Sequence, residues 1–200
     1  MEKRFVIPAS GAALSAVMAL AGDAAAGIVS YSLNTTLSTG VNYGINMETG
    51  NVHLGDLAGD DAFLLAGSSF YVLHQTVAPT SLIARISGTT TPANLPEGFA
   101  VGMTMNGASW GLGSAVLFTA GGTGAFVRNA TNYFAVRFAN AAGAYRYGYV
   151  TLDLGATNSQ ITVKGIAYED SGAAITIVPG PGAFAAGAAA CLVRGGRRRR

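Results

Sequence analysis

The sequence predicts an all-β protein: one antiparallel β-sandwich or jelly-roll-like domain of some ten strands, flanked by an N-terminal signal helix and a short C-terminal transmembrane helix. Three observations carry that expectation. Glycine makes up 28 of 200 residues, about twice the usual share of roughly 7%, while charged side chains are scarce. Such a mixture favours short strands and turns over long surface helices, which need Glu and Lys. Between Asn132 and Tyr168 apolar residues recur with period two. No stretch between residues 27 and 178 sustains a helical period.

The strands follow in order. Tyr31 to Leu33 opens the body. Val41 to Met47 and Val52 to Leu57 flank Glu48-Thr49-Gly50-Asn51, a good hairpin connection. Ala62 to Leu65, Phe70 to His74 and Leu82 to Ile86 come next. Thr89 to Gly98 contains Pro92 and Pro96 and reads as a loop. Phe99 to Met105, Ala115 to Thr119 and Ala125 to Arg128 are further apolar segments with Gly-rich joints. The clearest alternation comes last. Phe134, Val136 and Phe138 share one face, with Tyr133, Ala135 and Arg137 opposite. Beyond the Asn140–Gly143 turn, Val150, Leu152 and Leu154 share a face, opposite Tyr145, Tyr147, Tyr149, Thr151 and Asp153. Ile161, Val163 and Ala167 then alternate with Thr162, Lys164 and Tyr168. The three strands read as an antiparallel meander with one oily and one mixed face.

Two segments bracket this body. Lys3 and Arg4 precede an uncharged stretch from Phe5 to Gly22, and Asp23-Ala24-Ala25-Ala26 follows. That is the layout of a secretory signal over residues 1–26, with Ala24 and Ala26 as the small residues before a cut at Gly27. An uncleaved membrane anchor is the alternative. At the other end, Pro179, Gly180, Pro181 and Gly182 break any regular structure, Ala183 to Val193 is apolar, and Arg194 and Arg197, Arg198, Arg199 and Arg200 close the chain. An arginine at the bilayer centre costs roughly 2.5–3.5 kcal/mol, so this basic cluster is a cytoplasmic anchor for a chain that stops while crossing. The apolar run of about 11 residues reaches roughly 17 Å as a helix, short of a hydrocarbon core of about 30 Å. A marginal span suits a segment that is recognised and cut. The alternative here is a basic tail that binds acidic partners.

This tail, residues 179–200, resembles the PEP-CTERM sorting signals of bacterial surface proteins: a short Pro-containing motif, one hydrophobic helix and a final Arg cluster. Pro179-Gly180-Pro181-Gly182 stands where that family usually has Pro-Glu-Pro, so Gly180 departs from the pattern. The resemblance implies cleavage near this motif by an exosortase-type membrane enzyme after export, with signal peptidase acting at the other end. Phe134 to Phe138, Tyr147-Gly148-Tyr149 and Ala167-Tyr168-Glu169 also resemble the strands found upstream of many such tails.

The remaining chemistry is sparse. The only cysteine, Cys191, lies in the tail, so residues 27–178 have no thiol or disulfide. Between Gly27 and Pro181 five basic residues meet eight acidic ones, a net acidic body that excludes a nucleic-acid surface. His53 and His74 stand apart, without a nucleophile or metal motif beside them, and no catalytic residue is assigned. Asp56, Asp60 and Asp61 form the densest acidic cluster and the one calcium candidate, though a solvated turn fits them better than an EF-hand-like spacing. Tyr145, Tyr147 and Tyr149, with Trp110 in a Gly-flanked loop, are candidate glycan-facing aromatics; the competing reading packs them against a second sheet. Asn34-Thr-Thr36 and Asn129-Ala-Thr131 match the N-glycosylation pattern, which carries no meaning in a bacterial exported chain.

The expectation is therefore an exported protein, transiently held in a membrane and then sorted to the cell surface or extracellular matrix, with a structural role beside exopolysaccharide, no cofactor and no catalysis. The alternative is a lectin-like carbohydrate-binding module at the same surface. A glycoside hydrolase would need paired carboxylates in a cleft, and Asp153 has no evident partner.

Overall fold

The computed structural model describes residues 27–38, 40–55, 60–66, 70–74, 81–111, 115–119, 124–157 and 160–179. Thirteen strands run through them: β1 Ile28–Leu37, β2 Val41–Asn46, β3 Asn51–Leu54, β4 Ala62–Ala66, β5 Phe70–His74, β6 Leu82–Ile86, β7 Ala100–Val101, β8 Ala108–Gly111, β9 Ala115–Thr119, β10 Ala130–Ala139, β11 Tyr145–Leu154, β12 Ile161–Glu169 and β13 Ile175–Thr176. All ladders between these strands are antiparallel. The expected signal segment Phe5–Gly22 and transmembrane run Ala183–Val193 lie outside the described residues. Among the described residues no helix is long and apolar enough to cross a membrane.

The strands form a six-stranded sheet in the order β1-β12-β11-β10-β6-β8, a five-stranded sheet β3-β2-β4-β5-β9, and a two-stranded ribbon β13-β7. Period-two alternation gives the large sheet an inner face of Leu37, Ile83, Phe134, Val136, Phe138, Val150, Leu152, Leu154, Ile161 and Val163. That face shares one buried core with Tyr43, Ile45, Leu64 and Leu117 of the small sheet, so the body is sandwich-like. The turn joining β2 to β3 docks on the large sheet at the same time. Met47 is fully buried there, and Gly148 lets it approach: a Cβ at 148 would stand 2.6 Å from Met47 Cε and 2.6 Å from the Ala167 carbonyl. Arg146 and Glu48 pair at 3.3 Å across the same junction.

The outer face of the large sheet is also covered, over half its length. Tyr133, Ala135, Tyr147, Tyr149 and Ala167 form a second apolar cluster with Ala93, Leu95, Val101, Ile175 and Ile177, which come from the 92–107 segment and the chain after β12. These two segments form a cap. Its ribbon is closed by Ile177 N to Phe99 O at 2.9 Å and Gly98 N to Ile177 O at 2.8 Å. The mixed face of the meander is thus a buried face through Thr151.

Three sequence expectations need correction. Ala167 and Tyr168 exchange faces, because Lys164 is an extra residue in the β11–β12 ladder between Val163 and Gly165. The bulge turns Tyr168 inward against Phe138, with ring centroids 5.4 Å apart at 84°, and Ala167 outward under the cap. Phe99 to Met105 is a strand for two residues only, since its partner is the equally short β13. Ala125 to Arg128 is no strand; it wraps instead around Asn132, which holds Val127 N and Val127 O at 2.7 and 2.8 Å.

A cap that dries the outer face sets the cost of polar substitutions there. Leu152→Ala should cost about 2–5 kcal/mol through its cavity. Thr151→Asp should cost on the order of 3 kcal/mol by burying an unpaired carboxylate, although it sits on the opposite face. Ser32→Asp, on the exposed side of β1, should stay within about 0.5 kcal/mol. Urea unfolding of the three variants checks this, and a Thr151→Asp loss as small as that of Ser32→Asp would mean the cap does not exclude water.

Candidate functional site

The cap stops short of one end of the sheet, and a polar row lies bare beyond it. The register places Thr131 opposite Asp153, Asp153 opposite Thr162, and Thr162 opposite Thr36. One transverse line across β10, β11, β12 and β1 therefore carries three threonines and one carboxylate on the outer face. Thr131 Oγ1 donates to Asp153 Oδ1 at 2.7 Å, and the hydroxyls of Thr36 and Thr162 lie 3.3 Å apart. In the next row Lys164, raised by its bulge, donates from Nζ to Asn34 Oδ1 at 2.8 Å and stands 4.0 Å from Asp153 Oδ2.

This row floors a cleft of about 600 Å³, whose other walls include Asn129, Ala130, Leu154, Ala156 and Gln160. Arg128 braces one wall by donating from Nη1 to Ala156 O at 2.8 Å. Asn129 takes a left-handed backbone, with φ 54°, the only non-glycine to do so among the described residues. Asparagine tolerates that region better than most side chains. The cleft escaped the sequence reading because its members come from four strands that meet only through the register. The signal that could have found it is the shared alternation phase of Thr131, Asp153 and Thr162.

The candidate aromatics are divided by the same cap. Tyr147 and Tyr149 are 3% and 2% exposed, so they face apolar cap residues and offer no ring to a glycan. Burial pushes the Tyr149 hydroxyl's pKa up, partly offset by the hydrogen bond it accepts from Val178 N at 3.4 Å. Tyr133 donates to Glu97 Oε1 at 2.9 Å, and its pKa is raised by burial and by that carboxylate. Trp110 donates from Nε1 to Gly102 O at 3.0 Å and tilts against Tyr147. Tyr145 is exposed, but the Arg137 guanidinium lies 4.3 Å from its ring and 5.9 Å from that of Trp110. A cation packed over both rings leaves them poor platforms for a sugar.

Asp60 and Asp61 of the acidic cluster are not solvated but buried. Asp56 lies outside the described residues. Asp60 Oδ2 is 3.1 Å from His53 Nε2, and both fit only because Gly44 has no Cβ to fill their space. Asp61 accepts from Met47 N at 2.8 Å and from Ser81 Oγ at 3.1 Å. Burial drives the Asp61 pKa from 3.8 up to about 6, against the lowering effect of those two hydrogen bonds. Among the described residues no three His, Cys, Asp or Glu side chains gather as a metal site would require. His74 belongs to β5.

At the ends of the body, Gly27 N donates to Asp170 Oδ1 at 2.9 Å, and Asp170 N donates back to Gly27 O at 3.1 Å. Pro179 is exposed, directly after the cap. Ala24, Ala26, Gly180, Pro181, Gly182, Arg194 and Arg197 to Arg200 lie outside the described residues. Compared with known proteins, the chain matches no protein-family model, no curated protein and no solved structure.

The buried Asp61 makes stability depend on pH in a defined direction. Its folded pKa lies above the unfolded one, so the folded state binds the proton more tightly. This contribution is fully present below about pH 4 and is lost as pH rises towards about 6, at up to about 1.4 kcal/mol per pH unit. Asp61→Asn should flatten this limb of a stability–pH curve. An unchanged slope between pH 4 and 6 would show that Asp61 ionises as freely in the folded chain as in the unfolded one.

Proposed function

We propose that this chain is an exported bacterial surface or matrix protein, a β-sandwich body without catalysis, delivered by a cleaved signal segment and a PEP-CTERM-like sorting tail. The observation that carries the reading is the order of the tail: the Pro179–Gly182 breaker, the apolar run Ala183–Val193, then Arg194 and Arg197 to Arg200. Gly27 is tied to Asp170 and Val178 to Tyr149, so the described body is held by hydrogen bonds next to the expected cut at Ala26 and next to the Pro179–Gly182 breaker. Removing residues 1–26 would turn the Gly27 nitrogen into an ammonium beside the Asp170 carboxylate, adding a charge pair at the seam of β1 and β12. The sorting tail itself rests on the order of breaker, apolar run and arginines, and on their cost of translocation.

The test follows precursor and mature forms in membrane and external fractions of the native host. The expected mature chain starts at Gly27 and ends within or beyond the breaker. Replacing Arg197 to Arg200 with Ser should release uncut chain to the outside, because a membrane potential worth about 2.3 kcal/mol per charge per 100 mV no longer holds the tail. Replacing Pro179 and Pro181 with Ala should leave inserted, unprocessed precursor. Wild-type chain that begins at Met1 and retains Arg200 in every fraction would remove the reading.

A further inference from the structure

We infer that the cleft on the open end of the large sheet binds a neutral saccharide chain, with the Thr36–Thr162–Asp153–Thr131 row reading the hydroxyls of its sugar rings. This goes beyond export and sorting and does not depend on them. It also moves a carbohydrate site away from the tyrosines, which the cap and Arg137 occupy.

The ligand class follows from the donors and acceptors present. A carboxylate accepts from two hydroxyls at once, which suits the vicinal diol of a sugar ring. Asp153 Oδ1 already accepts from Thr131, so the free lone pairs of this oxygen and of Oδ2 are held in place before any ligand arrives. Thr131, having donated its proton, keeps its oxygen as an acceptor for a sugar hydroxyl, and the Thr36–Thr162 pair can both donate and accept. Gln160 and Asn129 add carboxamides at the walls. Ala130 and Ala156 supply apolar surface for the C–H edges of a ring.

Charge selects against ionic ligands. The site's one carboxylate faces Lys164, and Lys164 is also committed to Asn34. Arg128 spends a guanidinium nitrogen on the Ala156 carbonyl. An anion meets Asp153 and a cation meets Lys164, so a neutral polyol fits best. Shape points to a chain rather than a single sugar. A volume of about 600 Å³ lies in the ordinary range for small-ligand sites, roughly 300–1,000 Å³. It runs across four strands with Thr36, Asn129, Thr131 and Gln160 exposed, so neither end of a passing chain is blocked by the row itself. The row is also rigid, since it stands on strands rather than loops.

The experiment is calorimetric titration of the full chain with cellohexaose, laminarihexaose and maltohexaose, alongside hexagalacturonate and inorganic phosphate. At least one neutral hexasaccharide should bind saturably, more tightly than either anion. Asp153→Asn and Thr162→Val should each weaken that binding about tenfold, the scale of one or two lost hydrogen bonds. Tyr145→Ala should leave it unchanged. Asp153→Asn keeps an acceptor for Thr131, and Thr162→Val keeps the shape; if thermal unfolding shows that one of them has lost its fold, the other decides. The proposal is overturned by no saturable binding of any neutral hexasaccharide, by tighter binding of hexagalacturonate or phosphate, or by loss of binding in Tyr145→Ala rather than in the row variants. Because the titration uses purified chain, its result is separate from whether the tail is processed.

Discussion

The structure depends on one constraint: under the cap, strands β10, β11 and β12 are buried on both faces, so the polar groups there must find partners inside the protein. An unpaired buried polar atom costs about 1–3 kcal/mol, and the cap is arranged around avoiding that cost. Asn132 is fully buried yet uses both ends of its carboxamide. It donates to the Val127 and Ala130 carbonyls and accepts from Val127 N and from Asn94 Nδ2. Asn94 in turn accepts from Tyr133 N at 3.1 Å. Glu169, also buried, accepts from Ser171 N and Ala173 N at 3.1 and 2.6 Å. That turn reverses the chain after β12, so Ile175 and Ile177 run back over the tyrosines.

The inner side carries a second set of dependences. The Lys164 bulge puts Tyr168 into the core, and Arg146 then sits 5.8 Å over its ring while pairing with Glu48 of the small sheet's turn. Tyr31 of β1 hydrogen-bonds the Glu48 carbonyl, and Gly50, at φ 69°, lies against the same ring where no Cβ would fit. One turn therefore joins β1, β11 and β12 to the small sheet. The bulge serves both faces: it swings Tyr168 inward and lifts Lys164 beside Asp153 at the cleft.

How legible this was in the sequence follows from which interactions are local. The meander was readable because alternation in Phe134–Phe138 and Val150–Leu154 is set by neighbours two residues apart, and the β2–β3 turn because Gly50 marks it. The short strands β8 and β13 were not readable, since each is defined by a partner far along the chain: Ala108 by Ile86, Ile175 by Val101. The face of Tyr168 was misread because a bulge leaves no mark in composition. Asp60 and Asp61 read as solvated because aspartate usually is; their partners His53, Met47 and Ser81 lie 7 to 20 residues away. Of the candidate site residues, Asp153 was noticed and lacked company, since the threonines beside it are ordinary until the register aligns them.

The cap also limits where the proposed sorting cut can fall. Residues 27–178 contain no cysteine, so no disulfide holds them and burial carries their shape. Ile175 and Ile177, the last buried apolar residues among the described residues, are each 1% exposed and cover Tyr147 and Tyr149. Val178 N adds a hydrogen bond to Tyr149. A cut upstream of Ile175 would strip half the ribbon, wet the tyrosine face and leave the Phe99 carbonyl and Gly98 N without their ribbon partner, Ile177. A cut beyond Pro179 leaves each of these contacts in place. The proposed breaker thus begins two residues past Ile177, the last residue of the second apolar cluster, with Pro179 exposed at that boundary.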